Sequence, residues 1–454
     1  MARRSYIPLL SLVVAAGLVM SPITSAVATE RPVDDSESIA PAAASATVNA
    51  RILIELPGGS IVPVDLDQGV VRLYSAGFGT GLADYSFSSG ADGAIVATVA
   101  PGDYLIEFAS SDPRALPVHE WYTNSRYQQG ALPVTLADGA NINLGNMILE
   151  SRSLDATRLS GANRYETAVA VSQRAFPTTA SAVVVVNGES FPDALSAGPL
   201  ANNLSAAMLL VTSNSIPEAT RLEIDRLNPA SIYIVGGTGV VSNAVLEQLR
   251  PYASDPSFVY RIAGADRYAT SRAVVERIGV GINTLMIATG RNFPDALSAV
   301  PAANAFGVGA LLLVDGTRTT LDGATQTLLE SRSAADFYIV GGTGSVSAPL
   351  ASAVSAISPT TRLAGDDRYA TSVAVAFHFF VESDEAFIAN GTGFADALAA
   401  GPVAARAQAP VYLARATCMP AVVQDDVLSV FANRIVLVGG SAVLSDSVAS
   451  LTTC

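Results

Sequence analysis

The chain contains no lysine: its 26 basic side chains are all arginine, set against 40 acids. A P-loop needs a lysine on the β- and γ-phosphates and is excluded. Histidine occurs twice, at His119 and His378, and tryptophan once, at Trp121. A Ser-His-Asp arrangement would have to use one of those two histidines, yet no Gly-x-Ser-x-Gly elbow occurs. His378 lies in the apolar stretch Ala376-Phe-His-Phe-Phe380, as a core or helix-face histidine would. There is no His-Glu-x-x-His or Cys-x-x-Cys spacing for a metal. Paired-carboxylate chemistry is the one catalytic class that the composition leaves open, because acids are plentiful. No enzymatic activity, cofactor or metal site is expected.

Positive charge is also scarce. The formal net charge is −14, and becomes −16 without residues 1–28, which carry Arg3 and Arg4 and no acid. That balance excludes a general nucleic-acid binder. Any anion site must then be a local arginine site, where the guanidinium fork suits carboxylate and phosphate. Long apolar runs are absent apart from Ile7–Met20, which is too short for a membrane span. With Arg3-Arg4 before it and Ala26-Val27-Ala28 after it, residues 1–28 read as a secretory signal peptide. No membrane span is expected in the mature protein. The two cysteines, Cys418 and Cys454, are an even count in an exported chain and are expected to pair.

Residues 29–49 are rich in Ala, Ser, Pro and acid and read as a flexible linker. From about residue 50 the pattern changes to short apolar runs between turn residues. Arg51–Leu56, Val70–Tyr74, Ala94–Val99, Asp103–Phe108, Leu132–Leu136 and Ile142–Leu149 predict an all-β sandwich over 50–150. The segments Val99-Ala-Pro-Gly-Asp-Tyr-Leu-Ile-Glu-Phe108, Glu120-Trp-Tyr122 and Gly139-Ala-Asn-Ile-Asn-Leu144 resemble the transthyretin-like regulatory domain of carboxypeptidases. That resemblance implies a structural accessory without catalytic residues. Trp121, Tyr122 and Tyr127 read either as core aromatics or as a sugar-stacking platform.

The remaining chain repeats itself three times. Arg-[Leu/Ile]-[Ser/Ala]-Gly-x-[Asn/Asp]-Arg-Tyr-x-Thr starts at Arg158, Arg261 and Arg362, spacings of 103 and 101 residues (261 − 158; 362 − 261). Phe-[Pro/Ala]-Asp-Ala-Leu follows at Phe191, Phe293 and Phe394, then Val-Gly-Gly at Val235, Val340 and Val438. Within each unit a helical pattern leads to a continuous apolar strand such as Ala182–Val186, as in a parallel sheet covered on both faces. Alternation of strands and helices predicts three tandem three-layer α/β modules, at 156–255, 259–357 and 360–454.

This motif series resembles the cell-wall-binding repeat type 2 family. The resemblance implies a secreted, monomeric surface protein with internal pseudo-threefold symmetry. It implies non-covalent attachment to an anionic polysaccharide of a Gram-positive wall, teichoic-acid-like or another secondary polymer. The third unit departs from the pattern at Ala395, Ser441 and Ala442. Other classes consistent with the repeats are a wall-remodelling hydrolase or its targeting partner, and an adhesive protein with the repeats as scaffold.

The candidate polymer-binding residues are Arg164, Tyr165 and Asp193, Arg267, Tyr268 and Asp295, and Arg368, Tyr369 and Asp396. In one reading the arginine meets polymer anions, the tyrosine packs on sugar and the aspartate orients the arginine. In the other, arginine and aspartate form an ion pair fixing each module's first helix against its second. The Gly-Gly turns present backbone amides to an anion, or serve only as tight strand-to-helix connections.

Overall fold

The computed structural model describes residues 45–454, apart from 56–59, 65–68, 76–84, 111–117, 123–131, 150–153, 334, 381–382 and 431. The signal peptide and most of the expected linker lie outside the described residues, as do Tyr127 and the side chains of His119 and Trp121.

Nine strands come first among the described residues. They are β1 (Ala46–Glu55), β2 (Ile61–Pro63), β3 (Gly69–Ser75), β4 (Tyr85–Ser88), β5 (Ala94–Val99), β6 (Gly102–Ser110), β7 (Val118–Trp121), β8 (Val134–Leu136) and β9 (Asn141–Leu149). All six strands read from the sequence are present; β2, β4 and β7, each of three or four residues, had no legible pattern. The first strand starts at Ala46, inside the segment expected to be linker. One sheet holds β1, β2, β5 and β9, the other β3, β4, β6, β7 and β8. Alternate residues of the two sheets, among them Ile52 and Ile54 on one and Leu73, Ile106 and Phe108 on the other, share one buried cluster.

The repeats begin with β10 (Asp155–Leu159) and α1 (Arg164–Ala175). Next come β11 (Ala182–Asn187), α2 (Phe191–Asn203), β12 (Ala207–Val211), α3 (Glu218–Leu227), β13 (Ser231–Val235) and α4 (Asn243–Leu249). The second repeat holds β14 (Val259–Ile262), α5 (Arg267–Ile278), β15 (Thr284–Thr289), α6 (Pro294–Ala303), β16 (Gly309–Val314), α7 (Gly323–Glu330), β17 (Asp336–Val340) and α8 (Ala348–Ser355). The third has β18 (Thr360–Leu363), α9 (Arg368–Phe379), β19 (Glu385–Asn390), α10 (Ala395–Arg406), β20 (Val411–Ala414), α11 (Ala421–Ser429), β21 (Arg434–Val438) and α12 (Asp446–Ala449).

Each repeat builds a four-stranded parallel sheet, but not from its own strands alone. The first sheet runs β12-β11-β13-β14 and the second β16-β15-β17-β18. Each therefore takes its last strand from the following repeat. The third sheet runs β10-β21-β19-β20, so the very first strand of the repeat region completes the last sheet. Strand pairing thus closes a cycle, with Arg158 beside Leu437, Arg261 beside Ile234 and Arg362 beside Ile339.

Alternation along a strand divides its side chains between two faces. Val184 and Val186 of β11 enter a central cluster with Ala194, Leu195 and Leu200 of α2. Val183 and Val185 face an outer cluster with Ile224, Leu227, Val245 and Leu249 of α3 and α4. This is the three-layer arrangement expected from the unbroken apolar strands. The central cluster joins all three repeats, because α2, α6 and α10 pack against one another. At their meeting point stand Gly198, Val300 and Gly401, each five residues after the repeat's aspartate. A Cβ at Gly198 would lie 2.5 Å from Val300 Cγ1, and one at Gly401 would lie 2.6 Å from it. One valine fills the space that three equivalent positions share.

Cys418 and Cys454 form a disulfide as expected. It ties the last residue to the segment after β20, beside a parallel bridge between Met419 and Thr453. No helix among the described residues is long and apolar enough to cross a membrane.

Candidate functional site

In a sheet ordered β12-β11-β13-β14 the chain leaves β11 toward one edge and β13 toward the other. Ligand crevices of such sheets open at the carboxyl ends of the two strands where the direction switches. Here those ends are Asn187-Gly188 and Val235-Gly236, with the start of α2 between them. The aspartate and the Gly-Gly turn of the motif therefore meet at one place.

Gly236, Gly341 and Gly439 adopt φ of +127°, +107° and +123°, a region that disfavours any residue with a Cβ. A Cβ there would also press on the aspartate: 3.1 Å from Asp193 Oδ2 at Gly236 and 2.9 Å from Asp396 Oδ2 at Gly439, with Asp295 Oδ2 closer still at Gly341. The second glycine of each turn, Gly237, Gly342 or Gly440, faces open space.

The arginine on this crevice comes from the next repeat, carried there by the borrowed strand. Arg267 acts on Asp193, Arg368 on Asp295 and Arg164 on Asp396. The charge of each arginine thus bears on the aspartate of the preceding repeat, across the junction between two repeats, rather than on the aspartate of its own module. Each arginine donates to a carbonyl of its own repeat: Arg164 Nη1 to Gly188 O at 2.6 Å, Arg267 to Gly290 O at 2.8 Å and Arg368 to Gly391 O at 2.6 Å. The tyrosines pack against the same turn, so a Cβ at Gly188 would lie 3.0 Å from Tyr165 Cε1. Tyr165 and Tyr268 are half-buried, and burial raises both phenol pKa values. Tyr369 is only 7% exposed, which leaves no open ring face for a sugar.

The aspartates are nearly enclosed. Asp193 and Asp295 are each 8% exposed and Asp396 is half-buried. Burial pushes all three carboxyl pKa values up, against the opposing pull of a hydroxyl donor and the neighbouring repeat's arginine. The donors are Thr270 for Asp193, Thr167 for Asp396 and Ser345, at 2.7 Å, for Asp295. Thr167, Thr270 and Thr371 end the Arg-Tyr-x-Thr motif, and their hydroxyls also accept from Gly161, Gly264 and Gly365 N at 3.2, 3.1 and 3.2 Å. Asn163, Asp266 and Asp367 cap the helix that each arginine opens.

Two groups of structural residues were not singled out in the sequence, although their recurrence was visible there. Thr270 and Thr167 link repeats through Asp193 and Asp396. The opening arginines of the motif anchor each borrowed strand to the Gly-Gly turn it joins: Arg158 Nη1 to Gly439 O at 2.8 Å, Arg261 Nη1 to Gly236 O at 2.8 Å and Arg362 Nη1 to Gly341 O at 2.6 Å.

The crevices are open and unequal. Between the third and first repeats, a cavity of about 550 Å³ is lined by Asn163, Arg164, Phe394, Asp396, Gly440 and Ser441, among others. The Arg164 guanidinium lies 5.7 Å over the Phe394 ring. Between the second and third, Arg368, Asp367, Asp295 and Gly342 line about 260 Å³. His378 is on the exposed side of α9, edge-on to Tyr338 at 5.1 Å and away from these crevices.

At each of the three junctions, motif residues of two repeats meet, so the site uses three copies of one motif in one chain. Residues 158–246, 261–351 and 362–449 match the family Cell wall binding domain 2 (CWB2). The chain belongs to that family. Its CWB2 repeats are cell-wall-binding modules and account for most of the chain. The chain is 27% identical over 293 residues to the N-acetylmuramoyl-L-alanine amidase LytC of Bacillus subtilis (strain 168), covering 64% of this chain and 57% of the amidase. It is 29% identical over 264 residues to the amidase enhancer of the same organism, covering 58% of this chain and 35% of the enhancer. The chain thus spans little more than half of one relative and about a third of the other. Among solved structures it resembles Cwp6 from Clostridium difficile, with a TM-score of 0.61 at 22% identity over 90% of this chain and 68% of that one. Cwp8 from the same organism gives 0.60 at 24% identity, over 78% and 59%. Both likenesses are likenesses of fold, and they include the parallel sheets of the CWB2 repeats.

Proposed function

We propose that the three inter-repeat crevices hold an anionic wall polysaccharide and so attach an exported surface protein to the cell wall without a covalent bond. The observation that carries this reading is the recurrence of one arginine, one capped helix start and one open Gly-Gly turn on the two walls of each crevice. The arginine supplies charge and the glycine amides supply donors, while the enclosed aspartate holds the two walls together. The tyrosine keeps the arginine against its turn.

Weak individual sites suit a repetitive polymer, because linking three of them multiplies their effect. The acidic net charge does not oppose this: beyond about 8 Å it is screened at physiological salt, so local contacts dominate. Cyclic strand exchange and the shared α2, α6 and α10 core support an internal pseudo-trimer within one monomer. The two sheets of the N-terminal region support a transthyretin-like β-sandwich displayed from the wall. The signal-like first 28 residues support export.

Sedimentation of the whole protein with purified cell walls tests the reading. Changing one crevice arginine to glutamine should weaken retention, and changing two should weaken it by more than either alone. Undiminished retention by the double variants would contradict it.

A further inference from the structure

We propose that the seam between the first and second repeats carries a separate saccharide subsite, formed by Phe258, Tyr260 and Arg277, for a pyranose bearing an anionic group. Strand β14 is the edge strand of its sheet, Tyr260 and Ile262 share one face by its alternation, and Phe258 ends the 3-10 turn that leads into it. Ile262 is buried, whereas Tyr260 is 39% and Phe258 42% exposed. Tyr260 stacks on the buried Tyr233 with centroids 5.1 Å apart, and Phe258 on Tyr260 at 6.5 Å. Three near-parallel rings thus run from the core to the open edge.

Arg277, near the end of α5, lies over the inner part of this row, 5.0 Å from the Tyr233 centroid and 6.0 Å from that of Tyr260. It donates to the Tyr233 hydroxyl at 2.9 Å. Arg277 is exposed, and no described carboxylate pairs with it. In a chain with 40 acids and 26 arginines, an exposed guanidinium beside open rings and without an acid is a charge left for a ligand.

The other seams show that the fold does not require this arrangement. The residue paired with Tyr338 in place of Tyr260 is Thr361, and at the closing seam Thr157 pairs with Val436. Counting ten residues from the crevice arginine, the counterparts of Arg277 are Arg174 and His378. Arg174 is held by both carboxylate oxygens of Glu385, and His378 sits against Tyr338. Among the described residues, exposed aromatics and an unpaired cation coincide at the first seam.

The chemistry follows from these groups. Apolar sugar faces pack on flat rings, and a carboxylate or phosphate on the sugar reaches the guanidinium. The subsite lies about 15 Å along the α5 axis from Arg267, at 1.5 Å per residue, and does not use the crevice residues. It goes beyond the crevice reading and can fail independently of it.

The test is titration of the whole protein with four probes: an oligogalacturonate, the same oligomer methyl-esterified, a phosphodiester-linked hexose oligomer, and inorganic phosphate. One or both anionic oligomers should bind, the ester less tightly, and phosphate should not displace them. Tyr260→Leu should weaken oligomer binding about tenfold, Tyr260→Phe should restore it, and Arg277→Gln should remove the preference for the anionic form over the ester. The triple crevice variant Arg164→Gln/Arg267→Gln/Arg368→Gln should keep this effect of Tyr260→Leu. The proposal is overturned if neither anionic oligomer binds, or if Tyr260→Leu and Arg277→Gln change the melting temperature while leaving oligomer affinity unchanged.

Discussion

Asp193 of the first repeat is opposed by Arg267 of the second, not by Arg164 of its own repeat. The same displacement puts Arg368 on Asp295 and Arg164 on Asp396. Every crevice is therefore a junction, with one wall from each of two repeats.

The three enclosed aspartates make a pH dependence. Burial raises their folded-state pKa above the ordinary 3.8, so the folded protein holds these protons more tightly than the unfolded chain. Their contribution to stability is fully present below 3.8 and is lost as pH rises through the raised folded-state value. Denaturant unfolding of Asp193→Asn/Asp295→Asn/Asp396→Asn from pH 3.5 upward should show a flatter profile than the wild type. A steeper one would contradict the assignment.

The shared valine at the central axis predicts non-additive packing. Gly198→Ala places a methyl against Val300 and should cost about 1–3 kcal/mol. Adding Val300→Ala should recover much of that loss, because the two positions occupy one space. The double-mutant cycle, measured by chemical denaturation, checks the coupling.

The borrowed strands depend on their arginines. Arg261 donates to Gly236 O and Val241 O, both at 2.8 Å. Arg261→Ala leaves two carbonyls without this charged donor and should destabilise by about 3 kcal/mol. Amide exchange should rise first in β13 and β14.

Reduction of the disulfide releases a loop with a sequence separation of 36 and should lower stability by about 4 kcal/mol. Comparing unfolding midpoints with and without reductant measures it. The effect should be strongest around Met419 and Thr453, which the bond holds in register.

The sequence made the repeats, their strand and helix order and the layered character of each module legible, because strands such as Val183–Val186 are apolar without interruption. Strands β10, β14 and β18 escaped notice. They are four- or five-residue edge strands with mixed burial, and Asp-Ala-Thr-Arg-Leu carries no strand signature. Without them the arginine and aspartate of one motif are read as partners within one module. Pairing between Leu159 and Val438 is a long-range relation that no local pattern records. Thr167 and Thr270, which bond the aspartate of a neighbouring repeat, were visible as a recurring letter, but their partners depend on the same displacement.

The most direct test is the triple variant Arg164→Gln/Arg267→Gln/Arg368→Gln in the whole protein, measured for retention on purified cell walls and for melting temperature. The account predicts that retention collapses while the variant still unfolds cooperatively within a few degrees of the wild type. A large fall in melting temperature with wall retention intact at temperatures where the variant is folded would contradict it, and would make the three arginines fasteners between repeats.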